Sequence, residues 1–479
     1  MIASARPEPE TVDLRAAAAR GPVHFMGAGG AGMFALAGLL LRRGLSVSGC
    51  DARGGRALED LERAGASVRI GHAAEHVEGA SALVVTSAVA PEHPEVLRAR
   101  ELGVPVLKRA AALGSWVAGR TVVAVAGTHG KTTTTAMTTD ILAAAGKDPT
   151  GLVGGRVTAW DGNLRVGSDD LFVVEADEYD RSFLTLRPDV AVVTNVEADH
   201  LDVYGDLAGV REGFRAFLSG LKPGGHVVAC ADDRGAAALL PEVADRAHTY
   251  GTSAGSMLRA VDVRIAEGRT RCRVVEGGVD RGTLELVGGG RHNLLNALAA
   301  ASAARVLGAE WADIRDALAK FRGVGRRFER LGERGGVTVI DDYAHHPTEL
   351  TATLSAARAL HGHARIVAAF QPHLYSRTRD FALEFGRALA QADVVWVTDV
   401  FPAREAPVPG VSGELIADAA VAAGAPDVHY HAEIDTLAAA LAGVLRPGDV
   451  LLTLGAGSVE TLGSAVLDRL DRLEGGAHA

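Results

Sequence analysis

A chain of 479 residues exceeds what one hydrophobic core holds, and its length predicts three domains of ordinary size. With 48% hydrophobic, 23% charged and 5% aromatic residues and 58 glycines, the composition is that of a globular α/β protein rich in glycine turns. A formal charge of -10 excludes a broad basic surface for nucleic acid, so phosphate binding has to come from local loops.

The N-terminal stretch carries Arg6, Glu8, Glu10 and Asp13 without an apolar core of signal-peptide length, and no later apolar run is long enough to span a bilayer. The expectation is a cytosolic protein with no membrane insertion. Cys50, Cys230 and Cys272 lie far apart and form no C-x-x-C pair, so inert thiols are expected rather than a disulfide framework or a zinc site.

In chain order, strand-like apolar runs fall at 23–26, 83–86, 122–126, 171–175, 190–194, 227–230, 337–340, 366–370, 394–397 and 450–454. Each is followed by glycine or a charged loop and then a helical pattern, the alternation that builds mostly parallel sheets. New loops of this kind open at Gly27, Gly127 and Asp341, which predicts three nucleotide-fold units over 1–118, 119–322 and 323–479. The expected fold is α/β: a Rossmann-like first domain, a P-loop ATPase-like central domain with a parallel sheet, and a Rossmann-like third. The alternating run 250–288 is expected to add a small antiparallel sheet to the central domain.

The first strand leads into Gly27-Ala28-Gly29-Gly30-Ala31-Gly32, a G-x-G-x-x-G loop, and Asp51 ends the next strand at the distance where an acid holds a ribose hydroxyl. A dinucleotide and a UDP-sugar both offer a pyrophosphate and a ribose, so this loop alone leaves both ligands open.

The strand at 122–126 runs into Gly127-Thr128-His129-Gly130-Lys131-Thr132-Thr133. A nucleoside triphosphate needs backbone N–H groups, a helix N-terminus, a lysine and a hydroxyl for magnesium, and this segment supplies all four. Only Thr128 and His129 separate the glycines, so the loop is a short variant of the common P-loop.

Two further strands end in Glu175-Ala176-Asp177-Glu178 and in Asn195-Val196-Glu197-Ala198-Asp199-His200. At the carboxyl ends of parallel strands Glu175 and His200 can reach a cation that bridges phosphates and substrate. The plainer reading, a solvated acidic loop, weighs more for Asp177, Glu178 and Asp199 than for Glu175.

Near the C-terminus a strand leads to Asp341-Asp342-Tyr343-Ala344-His345-His346-Pro347, with helix formers after Thr348. Another ends in Gln371-Pro372-His373-Leu374-Tyr375-Ser376-Arg377, which offers cations suited to an amino-acid carboxylate. The histidine spacing in these two loops matches no zinc pair such as H-E-x-x-H. The Gly455–Ser458 stretch reads as a tight βα turn.

The segments G-T-H-G-K-T-T, E-A-D-E, T-N-V-E-A-D-H-L-D, R-H-N-x-x-N, G-R-R-F and D-D-Y-A-H-H-P-T-E, in this order and over nearly the whole chain, resemble the Mur ligases. Together with F-Q-P-H-L-Y-S-R-T-R-D, they look most like the alanine-adding branch of that family. The resemblance implies an ATP-dependent amide-bond ligase that joins L-alanine to the lactyl carboxylate of UDP-N-acetylmuramic acid through an acyl phosphate, releasing ADP and phosphate, in peptidoglycan precursor synthesis.

The resemblance also implies roles. Gly127, Thr128, His129, Gly130, Lys131, Thr132 and Thr133 would bind ATP, with His292, Asn293, Asn296, Arg327 and Asp342 also at the nucleotide. Mg²⁺ would sit at Thr132, Glu175 and His200. Gly27, Gly29, Gly30, Gly32, Asp51 and Ser87 would hold the UDP portion, which resolves the first loop against a dinucleotide. Tyr343, His345, His373 and Arg377 would hold L-alanine. Lys131, Glu175, His200, Arg327 and His345 would carry the catalysis, and His345, His346 and Asp342 remain alternatives for deprotonating the amine. No lysine follows His200 before Lys222, and Arg215 occupies the intervening helix, so a carbamylated lysine is not expected. A monomer or weak dimer is expected.

Overall fold

The structure is a computed structural model, and it describes residues 12–476 apart from 267 and 404. Arg6, Glu8 and Glu10 lie outside the described residues. The chain divides into two compact units. The first runs to Arg259 and also takes Val275–Asp280 and Asn296–Ala317; the second comprises Ala260–Val274, Arg281–Leu295 and the chain from Leu318 onward.

Two sheets organise the first unit. The N-terminal one is parallel throughout, in the order Ser67–Ile70, Val47–Asp51, Val23–Met26, Ala82–Val85, Val106–Lys108. Val23–Met26 and Ala82–Val85 are buried at every position, as expected for strands covered on both faces. Strand order reverses at Val23–Met26, so the glycine loop that follows it opens at the topological switch point, where α/β folds place their ligands.

In the central sheet Thr121–Ala126 lies between Val190–Val193 and Leu171–Glu175, parallel to both. Beyond these, His226–Cys230 and Ala247–Gly251 extend one side and Thr150–Val157 the other. Gly162–Arg165 closes that edge antiparallel. The carboxyl ends of three adjacent parallel strands therefore converge on the residues after Ala126. Leu258–Ala266, Arg269–Glu276 and Val279–Val287, most of whose residues belong to the second unit, are successive neighbours of one another. Gly277 and Gly278, with φ of 56° and 84°, form the two-residue turn with positive φ that suits a hairpin.

The helix Lys131–Ala144 is unusual in composition, with Thr132–Thr135, Thr138 and Thr139 all buried. Thr135, Thr138 and Thr139 donate their hydroxyls back to the carbonyls of Lys131, Thr134 and Thr135 at 2.7–2.8 Å, which satisfies polar groups that burial would otherwise strand. Within the same unit Asp169 receives Arg15 at 2.7 and 2.9 Å and Arg120 at 3.1 Å, and Asn163 Nδ2 donates to Ala31 O at 2.7 Å. These bonds tie the segments before Gly27 and after Gly30 to the central domain.

The second unit is built on a sheet ordered Glu329–Arg334, Val337–Asp342, Val450–Leu454, Ile366–Phe370, Val394–Val397, Val428–Tyr430, antiparallel only at its first pair. Leu350, Leu354, Phe370, Phe385 and Leu452 pack its core. The helix after the D-D-Y-A-H-H-P loop starts at Pro347 rather than after Thr348. Proline at the first helical position has no N–H to waste, and the His346 and Glu349 side chains complete a capping box. Gly455 (φ 137°) and Gly457 are packed so closely against Gln371 that neither leaves room for a Cβ.

Candidate active site

The P-loop is shaped by its two glycines. Gly130 (φ 79°) precedes the helix Lys131–Ala144, and a Cβ there would strike the Asn296 side chain. Gly127 (φ 140°) faces Thr194 just as closely. No other residue type fits either place without both backbone strain and overlap. The end of the neighbouring strand braces the turn: His129 N donates to Asn195 Oδ1 at 2.7 Å, and Thr194 Oγ1 and Asn195 Nδ2 donate to His129 O at 2.6 and 3.1 Å. Thr128 Oγ1 accepts from Glu197 N at 2.9 Å.

Lys131 folds back over this loop. Its Nζ donates to Gly127 O at 2.6 Å and reaches the Glu178 carboxylate at 2.8 Å. Burial alone would weaken the ammonium, but Glu178, Asp177 and Glu175 hold its pKa above the ordinary lysine value. Burial, reinforced by Asp177 and opposed by Lys131, pushes the Glu178 carboxyl up to about 7.

Glu178 and Asp199, read from the sequence more as members of a solvated loop, are only 2% and 7% exposed, which corrects that expectation. Glu178 is held in place by Lys131, and Tyr204 donates its hydroxyl to the Glu178 carbonyl at 2.6 Å.

The expected metal residues form two groups. Thr132 Oγ1 donates to Glu175 Oε1 at 3.0 Å, and Gly154 N donates to Glu175 Oε2 at 2.6 Å. His200 (φ 51°) lies instead with Glu178 and Asp177, its Nε2 3.6 Å from Glu178 Oε1, and one donor atom from each of the three lies within 4.8 Å of the others. A hydroxyl and several carboxylates beside a helix N-terminus are the hard oxygen donors that suit magnesium.

In the N-terminal sheet Asp51 turns back to the glycine loop and accepts from Gly29 N at 3.0 Å, while Gly27 and Ala28 donate to Cys50 O at 2.8 and 3.0 Å. Gly30 precedes the helix Ala31–Arg42 without a side-chain cap, and Gly32 packs against Arg109 so closely that a Cβ would lie 2.9 Å from its Cδ. The helix start is thus open to an anion. Ser87 donates to Asp180 at 2.8 Å, an acid that also takes Lys108 at 2.7 Å and is held below its usual pKa by these two, against the effect of burial.

A cleft of about 160 Å³ runs from Gly32, at the end of the glycine loop, to Glu175 and Asp177, and is lined also by Arg109, Val153 and Gly154. Arg109 was not found from the sequence. It begins the helix Arg109–Val117 directly after the strand Val106–Lys108, and a cation at the carboxyl end of a parallel strand is the signal that could have revealed it.

In the second unit Asp342 anchors a loop, accepting from Phe328 N at 2.7 Å and from Ala344 N at 2.8 Å. Burial pushes its carboxyl up to about 6, with Glu349 adding and Arg327 opposing. Arg326 donates to Asp341 at 2.8 Å, and the Arg327 guanidinium lies 5.0 Å from the Tyr343 ring centre and 3.6 Å from Glu349. The four expected amino-acid residues lie in sequence across the loops: the Tyr343 and His345 rings are 5.2 Å apart, His345 and His373 5.9 Å, and Arg377 Nη1 is 3.4 Å from His373 Nδ1. Arg377 is 5% exposed. His345 Nδ1 lies 3.2 Å from Glu349 and 2.9 Å from Tyr343 O. Burial, aided by Arg327 and opposed by Glu349, lowers the pKa of His292 to about 4. Asn293 lies in the same unit as His292, whereas Asn296 belongs to the first. Arg215 pairs with Glu242 at 2.7 Å, and Lys222 with Asp189 at 2.7 Å.

Comparison with known proteins places this geometry. The chain matches the Mur ligase family catalytic domain over residues 22–121, the Mur ligase middle domain over 125–304 and the Mur ligase glutamate ligase domain over 326–457. It is 50% identical to a UDP-N-acetylmuramate–L-alanine ligase of Kineococcus radiotolerans, covering 94% of this chain and 96% of that one. It is 45% identical to the ligase of the same name from Oleidesulfovibrio alaskensis, covering 93% and 98%. Among solved structures, the UDP-N-acetylmuramate–alanine ligase of Thermotoga maritima superposes with a TM-score of 0.81 at 29% identity, over 95% of this chain and all of that one. A murein peptide ligase of Psychrobacter arcticus gives 0.69 at 25% identity, over 94% and 98%. With three family domains matched in order and relatives spanned almost end to end, the chain belongs to the Mur ligase family.

Proposed function

We propose that this protein joins L-alanine to the lactyl carboxylate of UDP-N-acetylmuramic acid with hydrolysis of ATP to ADP and phosphate, in the cytoplasm, as a step of peptidoglycan precursor synthesis. The observation that carries the reading is the convergence of Lys131, Thr132, Glu175 and Glu178 on one glycine turn, beside a cleft that reaches the glycine loop of the N-terminal sheet. The relatives with 45–50% identity bear the name of that reaction.

In this reading residues 1–118 hold the UDP portion through Gly27, Gly29, Gly30, Gly32 and Asp51, with Ser87 and Arg109 beside them. Residues 119–322 bind ATP and residues 323–479 the amino acid. The cleft, at about 160 Å³, is smaller than the roughly 300–1,000 Å³ of a whole small-molecule site, so it takes only the reacting end of the substrate.

The lactyl carboxylate oxygen attacks the γ-phosphorus and ADP leaves. The alanine nitrogen then attacks the acyl carbon and phosphate leaves, carrying the electron pair of the broken C–O bond. Lys131 offers its charge to the oxygens on which negative charge develops. Magnesium, held by Thr132 and Glu175 with His200 and Glu178 close to the lysine, would supply the remaining charge neutralisation. Arg327, His292, Asn293, Asn296 and Asp342 serve the nucleotide. Arg377 pairs with the alanine carboxylate, and Tyr343, His345 and His373 line its pocket. His345, whose contact with Glu349 supports the choice over His346 and Asp342, would accept the ammonium proton.

The test supplies the purified protein with ATP, magnesium and UDP-N-acetylmuramic acid, adds one acceptor at a time, and follows phosphate release and the mass of the sugar nucleotide. The expected outcome is release that requires L-alanine and a product heavier by one alanyl residue. Turnover only with a preformed peptide would instead make the chain a peptide-recycling ligase, and no turnover with any acceptor would end the ligase reading.

A further inference from the structure

The face of the N-terminal sheet that packs under the helix Pro94–Glu101 and the turn Ala74–Val77 holds a group the ligase chemistry does not use. Glu95 is fully buried, and its partners are histidines, a thiol and one backbone N–H. His24 Nε2 lies 3.5 Å from its carboxylate, His76 Nδ1 3.6 Å, His72 Nδ1 3.3 Å, Cys50 Sγ 3.3 Å and Ala73 N 3.1 Å. One donor atom from each of His24, Cys50, His76 and Glu95 lies within 4.8 Å of the other three. His24 is 2% exposed, and both its Nε2 and His76 Nδ1 are buried without a hydrogen-bond partner. Both nitrogens face the buried Glu95 carboxylate at ion-pair distance but make no close hydrogen bond, an incompletely satisfied polar group in a protein interior.

We infer that these four side chains form a metal site, separate from the nucleotide centre, for a divalent ion of the zinc type. Two imidazole nitrogens, one thiolate and one carboxylate oxygen are the mixed donors that a borderline-soft, tetrahedral ion takes. Bond lengths of about 2.0–2.3 Å give tetrahedral edges of roughly 3.3–3.8 Å. The three contacts to Glu95 already fall in that range, and the wider pairs, all within 4.8 Å, need to close by at most about 1.5 Å. Ser48 Oγ lies 2.9 Å from His24 Nδ1 and can accept its proton, the tautomer that presents the Nε2 lone pair to an ion in the site. On binding, Cys50 forms a bond to the ion and releases its thiol proton to solvent, while His72, whose Nδ1 is 3.2 Å from Sγ, can donate to the thiolate.

The location gives the site a purpose. The Cys50 carbonyl receives the N–H groups of Gly27 and Ala28, and the next residue is Asp51, which holds Gly29. An ion on Cys50 would therefore pin the strand end on which the glycine loop rests. Cys50, expected from the sequence to be an inert thiol, becomes a ligand.

The test uses the full-length protein, stripped with a chelator and titrated with Co²⁺ alone. The inference expects a thiolate-to-cobalt charge-transfer band that saturates at one equivalent per chain and is bleached by Zn²⁺. The oxygen donors around Thr132 and Glu175 cannot produce that band. Cys50→Ala should abolish it with the circular dichroism spectrum unchanged. His76→Gln should weaken cobalt binding by roughly tenfold or more while keeping the band, a readout that stands if Cys50→Ala does not fold. A folded wild-type protein with no charge-transfer band at saturating cobalt overturns the inference. So does a band that survives Cys50→Ala, since it would place the thiolate at Cys230 or Cys272.

Discussion

Lys131 Nζ sits 2.8 Å from a carboxylate oxygen of Glu178, with the two side chains only 14% and 3% exposed. A buried pair of this kind costs little while whole, but removing one member leaves a charge without compensation. Glu178→Leu is therefore expected to destabilise the protein by about 3 kcal/mol. The double variant Lys131→Met/Glu178→Leu should recover most of that loss. Urea unfolding of the two singles and the double checks it, and strictly additive losses would show that the pair is not coupled.

Thr132 and Glu175 meet at 3.0 Å at the start of the phosphate helix. If they position charge in the transition state, Glu175→Gln and Thr132→Val should each lower kcat by about 10²–10³, or about 2.7–4 kcal/mol. The KM for L-alanine should stay near the wild-type value. Steady-state phosphate release decides between this and a pure binding role, in which the KM for ATP would rise at constant kcat.

Gly130 is held at φ 79° with Asn296 where a Cβ would go. Gly130→Ala should cut ATP affinity by at least about tenfold through overlap and the cost of about 1–2 kcal/mol for left-handed backbone. Gly130→Ala/Asn296→Ala removes the overlap but not the strain, so it should restore affinity only in part. Calorimetric titration with ATP separates the two contributions, and full recovery would show that strain is unimportant.

His292 has its pKa lowered to about 4 by burial. The unfolded chain binds a proton near pH 6.5 and the folded one does not, so this residue contributes stability above about pH 6.5 that is lost as pH falls toward 4. Its ring retains partial solvent access, which reduces the effect to roughly 1 kcal/mol at pH 5. His292→Gln should accordingly narrow the difference in stability between pH 8 and pH 5 by about that amount. A wild-type imidazole that titrates by NMR at pH 6.5 would refute the expectation.

The strands that the sequence revealed are the ones buried on both faces, such as Ile366–Phe370 and Val450–Leu454, because continuous apolar runs leave a strong signal. Ser67–Ile70 and Glu329–Arg334 escaped detection because short edge strands with exposed or charged positions carry no such run. The phosphate loop was legible because its chemistry is local: a strand, two glycines, a lysine and a hydroxyl follow one another. Glu178 was not, since its burial depends on Lys131 and on Tyr204, which comes later in the chain. Arg109 and the group around Glu95 were hidden for the same reason, as side chains far apart in sequence meet only across the folded sheet.

The run Lys131–Thr139 is a weak helix former, with β-branched side chains at most positions, and a segment this short would be largely uncoiled by itself in water. It becomes a helix only when its threonines are enclosed and their hydroxyls find carbonyls. The strands that flank Thr121–Ala126, namely Leu171–Glu175 and Val190–Val193, and the bracing Asn195 all follow it in the chain. During synthesis from the ribosome, then, the nucleotide pocket has no shape until those later residues have emerged. Any ligand that needs this loop in shape therefore binds only after Leu171–Glu175, Val190–Val193 and Asn195 have joined Thr121–Ala126.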